Sequence, residues 1–182
     1  MSASPFRRIL VPIDFTEDTD AAVHSGFEVE IDGGTVAVAP ASAKALELAA
    51  GIIDDAGELR LVHATPTYET ARVHTGGAGM GGVLGAGDIA QIHASARGAS
   101  LKVLEALAER FAPGIRCSFE VRPGVALQVI LEEAESFDAQ LVVIAASGRS
   151  RVARFFLGST ADRVIRQASC PVMVVPPVLL EG

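Results

Sequence analysis

Apolar positions in this chain follow two rhythms, and the rhythms alternate. Five short segments read as strands: Ile9 to Ile13, Glu58 to Ala64, Arg116 to Val121, Leu141 to Ala145 and Val172 to Val175, of which the first and the fourth are apolar, β-branched runs expected to be buried. Between them, apolar residues recur at helical spacing. One face over residues 42–55 carries Ala45, Leu46, Leu48, Ala49, Ile52 and Ile53, with Ser42 as the expected N-cap. A second helix is expected from about 88 to 111 (Leu101, Leu104, Ala108, Phe111), a third over 125–135, and a fourth opened by Ser159, with Ala161, Val164, Ile165 and Ala168 on its face. Strand and helix in alternation call for an α/β fold, a mostly parallel sheet with helices on both faces.

Two segments break the rhythm. Phe27 to Ala39 alternates apolar and polar residues on its first arm and then meets Asp32-Gly33-Gly34, a hairpin signature. Phe27, Val29 and Ile31 share one face; Glu28 and Glu30 share the other. The hairpin lies within an insertion, about 22–41, where such folds usually need only a short loop. It reads either as an edge extension of the sheet or as a dimerisation or partner element. Residues 76–87 hold seven glycines in twelve positions. Gly77, Gly79 and Gly82 match a dinucleotide-type pattern, but no strand leads straight into them, so a flexible connection is the better reading and a mobile lid the alternative.

Composition narrows the class. With 182 residues, 49% hydrophobic and 20% charged, the chain suits one well-cored domain spanning 1–182. A net charge of −7 argues against a general nucleic-acid or acidic-membrane surface, so no nucleic-acid or membrane partner is expected. Cys117 and Cys170 lack ligand spacing and read as free thiols of a reducing compartment. The N-terminus lacks a signal-peptide pattern and no apolar run is long enough to span a bilayer, which points to the cytoplasm. His24, His63, His74 and His93 have no metal spacing, and His63 on the second strand reads as a satisfied core histidine.

Candidate chemistry concentrates in residues 141–160. A strand ends in the turn at Gly148, Arg149, Arg151 and Arg154 follow, and Gly158, Ser159 and Thr160 open a helix. A helix N-terminus presents unpaired N–H groups and the positive end of the macrodipole, which suits a phosphate. Glycine permits close backbone approach, and two hydroxyls add donors. Gly158-Ser159 also fits an ordinary helix cap, and the arginines fit either a solvated loop or phosphate contacts. Glu132, Glu133 and Glu135 read as a solvated acidic helix face.

These pieces together resemble the universal stress protein family. RRILVPIDFTED (7–18) resembles its N-terminal signature, ELRLVHATP (58–66) its second strand and SCPVMVVP (169–176) its terminal strand. The most specific match is to the family's motif Gly-x2-Gly-x9-Gly-Ser/Thr, here Ala145-Ala146-Ser147-Gly148, nine residues, then Gly158-Ser159. The resemblance implies an adenine nucleotide α-hydrolase-like α/β sandwich with a five-stranded parallel sheet, paired into a homodimer through the last strand. For nucleotide-binding members it implies adenine and ribose near Pro12, Asp14 and Ala64, with Ile144 and Ala145 beneath the ribose. Phosphates would meet Gly148, Gly158, Ser159 and Thr160, and Arg149 joins the candidate site beside Gly148. Asp14 as a simple turn or helix cap at the strand's end is the lesser alternative.

The departure is Ala145, which stands where the motif has its first glycine. An added methyl crowds a ligand that touches the backbone there, or demands φ < 0. ATP, with or without Mg²⁺, remains the expected ligand of a regulatory, non-catalytic protein. A ligand-free dimeric interaction protein is the alternative, and a slow ATPase a weaker one, since no Walker lysine or evident base accompanies the motif.

Overall fold

The computed structural model describes residues 6–16, 27–31, 34–65, 86–146 and 158–176. The five expected strands form one parallel sheet: β1 (Phe6–Pro12), β5 (Ile53–Thr65), β6 (Arg116–Pro123), β7 (Leu141–Ala145) and β8 (Val172–Val175), in the order β6-β5-β1-β7-β8. Its central strands are apolar toward both layers, as a strand covered on two sides must be. Ile9, Val11, Leu59, Leu61, Leu141 and Val143 face one core, shared with helices α1 (Pro40–Ile52) and α2 (Ala86–Phe111). Leu10, Val62, Val142 and Ile144 face the other, shared with α3 (Ala126–Ser136) and α4 (Ser159–Gln167).

Helix α1 begins and ends earlier than the periodicity indicates. Pro40 opens it, with φ preset for a helix and no N–H to satisfy. Ala39 is the flanking residue, and no side chain caps the end. Ser42 is therefore not the N-cap; it lies inside the first turn and is buried. The helix stops at Ile52 because Ile53 is extended (φ −77°, ψ 152°) and opens β5. Asp54 Oδ1 accepts the Ala56 N–H at 3.1 Å, and such local bonding by aspartate competes with helix.

The insertion forms a sheet of its own. β3 (Phe27–Ile31) and β4 (Gly34–Val38) are antiparallel, with Val29 opposite Val36 and Ile31 opposite Gly34, and β2 (Phe15–Thr16) joins β4 through Phe15 and Val38. The order is β2-β4-β3, so the hairpin does not extend the edge of the main sheet. Val29, Val36 and Val38 are buried in the same core as Leu46 and Leu104, while Glu28 and Glu30 are exposed. The alternation of that arm thus sets its faces. Of the glycine tract, Ala86 and Gly87 belong to α2; residues 76–85 lie outside the described residues.

Among the described residues, no helix is long and apolar enough to cross a membrane.

Candidate functional site

The site is a consequence of strand order. β1 pairs with β5 as far as Pro12 and Val62, but with β7 only through Ile9 and Leu10. Beyond Leu10 the carboxyl ends of β1 and β7 are no longer paired, at the point where the chain switches from building the sheet in one direction to building it in the other. Ligands of open α/β sheets bind in such crevices.

A cavity of about 140 Å³ opens there. Strand ends supply Pro12, Ile13 and Asp14 from β1 and the residues after it, Val62, His63 and Ala64 from β5, and Ile144 and Ala145 from β7. Helices supply Ser42 from α1, Ala126 and Ile130 from α3, and Thr160 and Ala161 from α4. Pro12, Asp14, Ala64, Ile144, Ala145 and Thr160, which are far apart in sequence, therefore share one wall system. Two lining side chains are titratable, Asp14 and His63.

Gly158 and Ser159 stand at the start of α4 and do not line the cavity. Gly158 is the flanking residue of that helix, with φ 78° and ψ 144°, backbone that side chains rarely adopt. Its carbonyl accepts the Asp162 N–H at 3.1 Å, and no side chain caps the helix among the described residues. Gly148, Arg149, Arg151 and Arg154 lie outside the described residues.

Ala145 sits in extended backbone opposite Val175. Among the described non-glycine residues, only Asp138 has positive φ. The backbone at 145 thus makes no demand for glycine, and the consequence of the alanine is confined to its methyl group on the cavity wall.

His63 has a partner, as a core histidine should, but it also faces the cavity. Its Nδ1 lies 2.9 Å from the Ile13 carbonyl, which can only accept, so Nδ1 carries the proton. The imidazole stacks on Phe15, with centroids 3.8 Å apart. Burial lowers its pKa from 6.5; the Ile13 bond and the nearby Asp14 carboxylate pull it back less strongly. Ser42 is the other polar lining residue not expected at the site, beside apolar Ile13, Val62, Ala126, Ile130 and Ala161. His63 and Ser42 were obscured by plausible structural roles, and their place in the site depends on where β5 ends and where α1 begins.

The acidic run on α3 is solvated at Glu132 and Glu135 but not at Glu133. Glu133 is buried, its carboxylate 3.0 Å from Arg122 Nη1 and 3.4 Å from Arg60 Nη1, while exposed Glu132 takes the other Arg122 nitrogen at 2.6 Å. Arg60 also lies over the Phe137 ring at 4.2 Å. These ion pairs join α3 to β5 and β6. Among the described residues, no group of three or more His, Cys, Asp or Glu side chains is placed to hold a metal ion.

A profile of the universal stress protein family matches residues 35–176. The chain belongs to that family. Universal stress protein MJ0531 of Methanocaldococcus jannaschii is 40% identical over 76 residues, covering 42% of this chain and 44% of that protein. The matched region spans less than half the length of the curated relatives. Among solved structures, hypothetical protein MJ0577 superposes with a TM-score of 0.66 at 17% identity, covering 96% of this chain and 99% of that one. A universal stress protein family member from Arabidopsis thaliana, solved with AMP bound, has a TM-score of 0.54 at 15% identity, covering 94% and 92%. These likenesses establish the shared fold of universal stress proteins.

Proposed function

We propose that this universal stress protein binds an adenine nucleotide, ATP, and acts as a homodimeric cytoplasmic regulator rather than as a catalyst. The observation that carries this is the convergence of Pro12, Asp14, Ala64, Ile144, Ala145 and Thr160 on one cavity at the switch point of the sheet. The Arabidopsis protein of the same fold holds AMP.

The chemistry of the wall suits the ligand. Asp14 offers a carboxylate acceptor to an adenine amino group or ribose hydroxyl, and Pro12, Ile144 and Ala145 offer apolar surface to base and sugar. The start of α4 offers N–H groups and the Thr160 hydroxyl to phosphate. A volume of about 140 Å³ is below the ~300–1,000 Å³ of typical ligand pockets, so in this reading the cavity encloses only part of the nucleotide. In this reading Gly148, Arg149, Gly158 and Ser159 serve the phosphates. Strand β8 ends the sheet and leaves Met173 exposed, which supports pairing with a second copy along that edge.

The Ala145 methyl favours a second reading, a dimeric interaction protein with no nucleotide. Calorimetric titration with ATP and Mg²⁺ separates the two when the parent and Ala145→Gly are run together. Binding by the parent is expected, tightened roughly tenfold in the glycine variant if the methyl crowds the ligand. Binding by Ala145→Gly alone shows a site closed by one methyl, and silence in both supports the second reading.

A further inference from the structure

The segment between β1 and α1 meets the crevice at both of its ends. At the first, Phe15 directly follows Asp14, pairs with Val38 in the small sheet and lays its ring on His63, the planes 16° from parallel. His63 donates its Nδ1–H to the Ile13 carbonyl, and the Ile13 N–H donates to the Val62 carbonyl at 2.9 Å. Both backbone groups of residue 13 are thus held by β5. At the second end, β4 passes through Ala39 into α1, whose Ser42 lines the cavity with its Oγ 3.5 Å from the Asp14 carbonyl. Phe15 itself is not part of the cavity wall. A connection in such a fold needs only a few residues; this one is built into the core and contacts the peptides that aim Asp14.

We propose that the small sheet is the support of the nucleotide crevice, and that His63 is the positioning residue through which it acts. The Phe15 ring fixes the imidazole, the imidazole fixes the Ile13 carbonyl, and the fixed peptide sets the direction in which Asp14 presents its carboxylate. Residue 13 is held through the N–H of the peptide before it and the C=O of the peptide after it, so neither plane can turn without losing a hydrogen bond. Ligand occupancy and the packing of the small sheet are then linked, and linkage runs in both directions. This rests on the nucleotide reading above and deepens it by giving the insertion a role at the same site.

ATP titration of the parent, Phe15→Leu, His63→Val and the double variant tests it, with thermal melting of each. Phe15→Leu is expected to weaken ATP binding roughly five- to tenfold, the worth of about one hydrogen bond, although residue 15 does not line the cavity. In the His63→Val background the same change is expected to cost nothing more. Wild-type affinity in Phe15→Leu, or losses that simply add, overturns the proposal. A parent that does not bind ATP removes the nucleotide reading itself, and the proposal with it; that result is distinct because it appears before any substitution. Amide exchange of the parent needs no variant to fold: ATP is expected to slow the β4 amides of Ala37 and Val38, and a β4 indifferent to saturating ATP overturns the coupling.

Discussion

His63 is kept neutral by its surroundings, and this has a measurable sign. Its pKa is lowered in the folded protein from the 6.5 of a free imidazole, with burial the largest cause. Above pH 6.5 neither state takes up the proton, and the neutral ring contributes its full packing. As pH falls below 6.5 the unfolded chain binds a proton that the folded chain resists, so stability declines until the lower folded pKa is passed. Melting curves between about pH 7.5 and 5 are expected to fall more steeply for the parent than for His63→Asn. Parallel slopes mean that the ring does not titrate against the fold. Gly158 makes a second case at this scale. At φ 78° and ψ 144° a side chain is strained, and Gly158→Ala is expected to cost about 1–3 kcal/mol in urea unfolding. An alanine variant as stable as the parent contradicts that strain. The glycine was legible from the motif, whereas its conformation came from the junction with α4. His63 shows the opposite: its identity suggested a core role, and only the end of β5 put it on a cavity wall.

Elements take their limits from local chemistry and their roles from packing. The pattern 42–55 showed that a helix lies there, yet Pro40 and the extended Ile53 moved both ends toward the N-terminus. Ser42 thereby passed from the expected cap to the cavity wall. The small sheet is part of the main core, since Val38 is fully buried beside Leu46 and Ile9. Val38→Ala removes two methyl groups and is expected to lower stability by about 2 kcal/mol in a single cooperative transition. A separate early transition from the hairpin argues against this shared core. Helix α3 is tied to the sheet edge through Glu133. Truncation by Glu133→Ala leaves Arg60 and Arg122 without their buried acceptor and is expected to cost about 2–3 kcal/mol, less than a fully buried pair because both arginines are partly exposed. Denaturant titration checks it, and a change under about 0.5 kcal/mol assigns the network to the surface class.

At the scale of the whole molecule, β8 leaves the main sheet with an edge at the end proposed for dimerisation. Charge on an edge strand disfavours pairing. Met173→Lys is therefore expected to shift sedimentation toward monomer while leaving the fold intact, and an unchanged dimer moves the interface elsewhere.

Alternating periodicity alone determined that this chain is α/β with five strands, because side chains facing two cores must be apolar at strand spacing and those facing one core at helical spacing. The glycine spacing marked the start of α4, because few residues other than glycine adopt the backbone found at Gly158. Tertiary structure decided the rest. The strand order β6-β5-β1-β7-β8 depends on how helices cross the sheet, and it places Pro12 and Asp14 opposite Ile144 and Ala145 across more than a hundred residues of chain. Periodicity carries no information about which strands become neighbours. Nor does it show that a hairpin inserted after β1 folds back beneath the site, since the contacts of Phe15, His63 and Ile13 exist only once β5 lies beside β1.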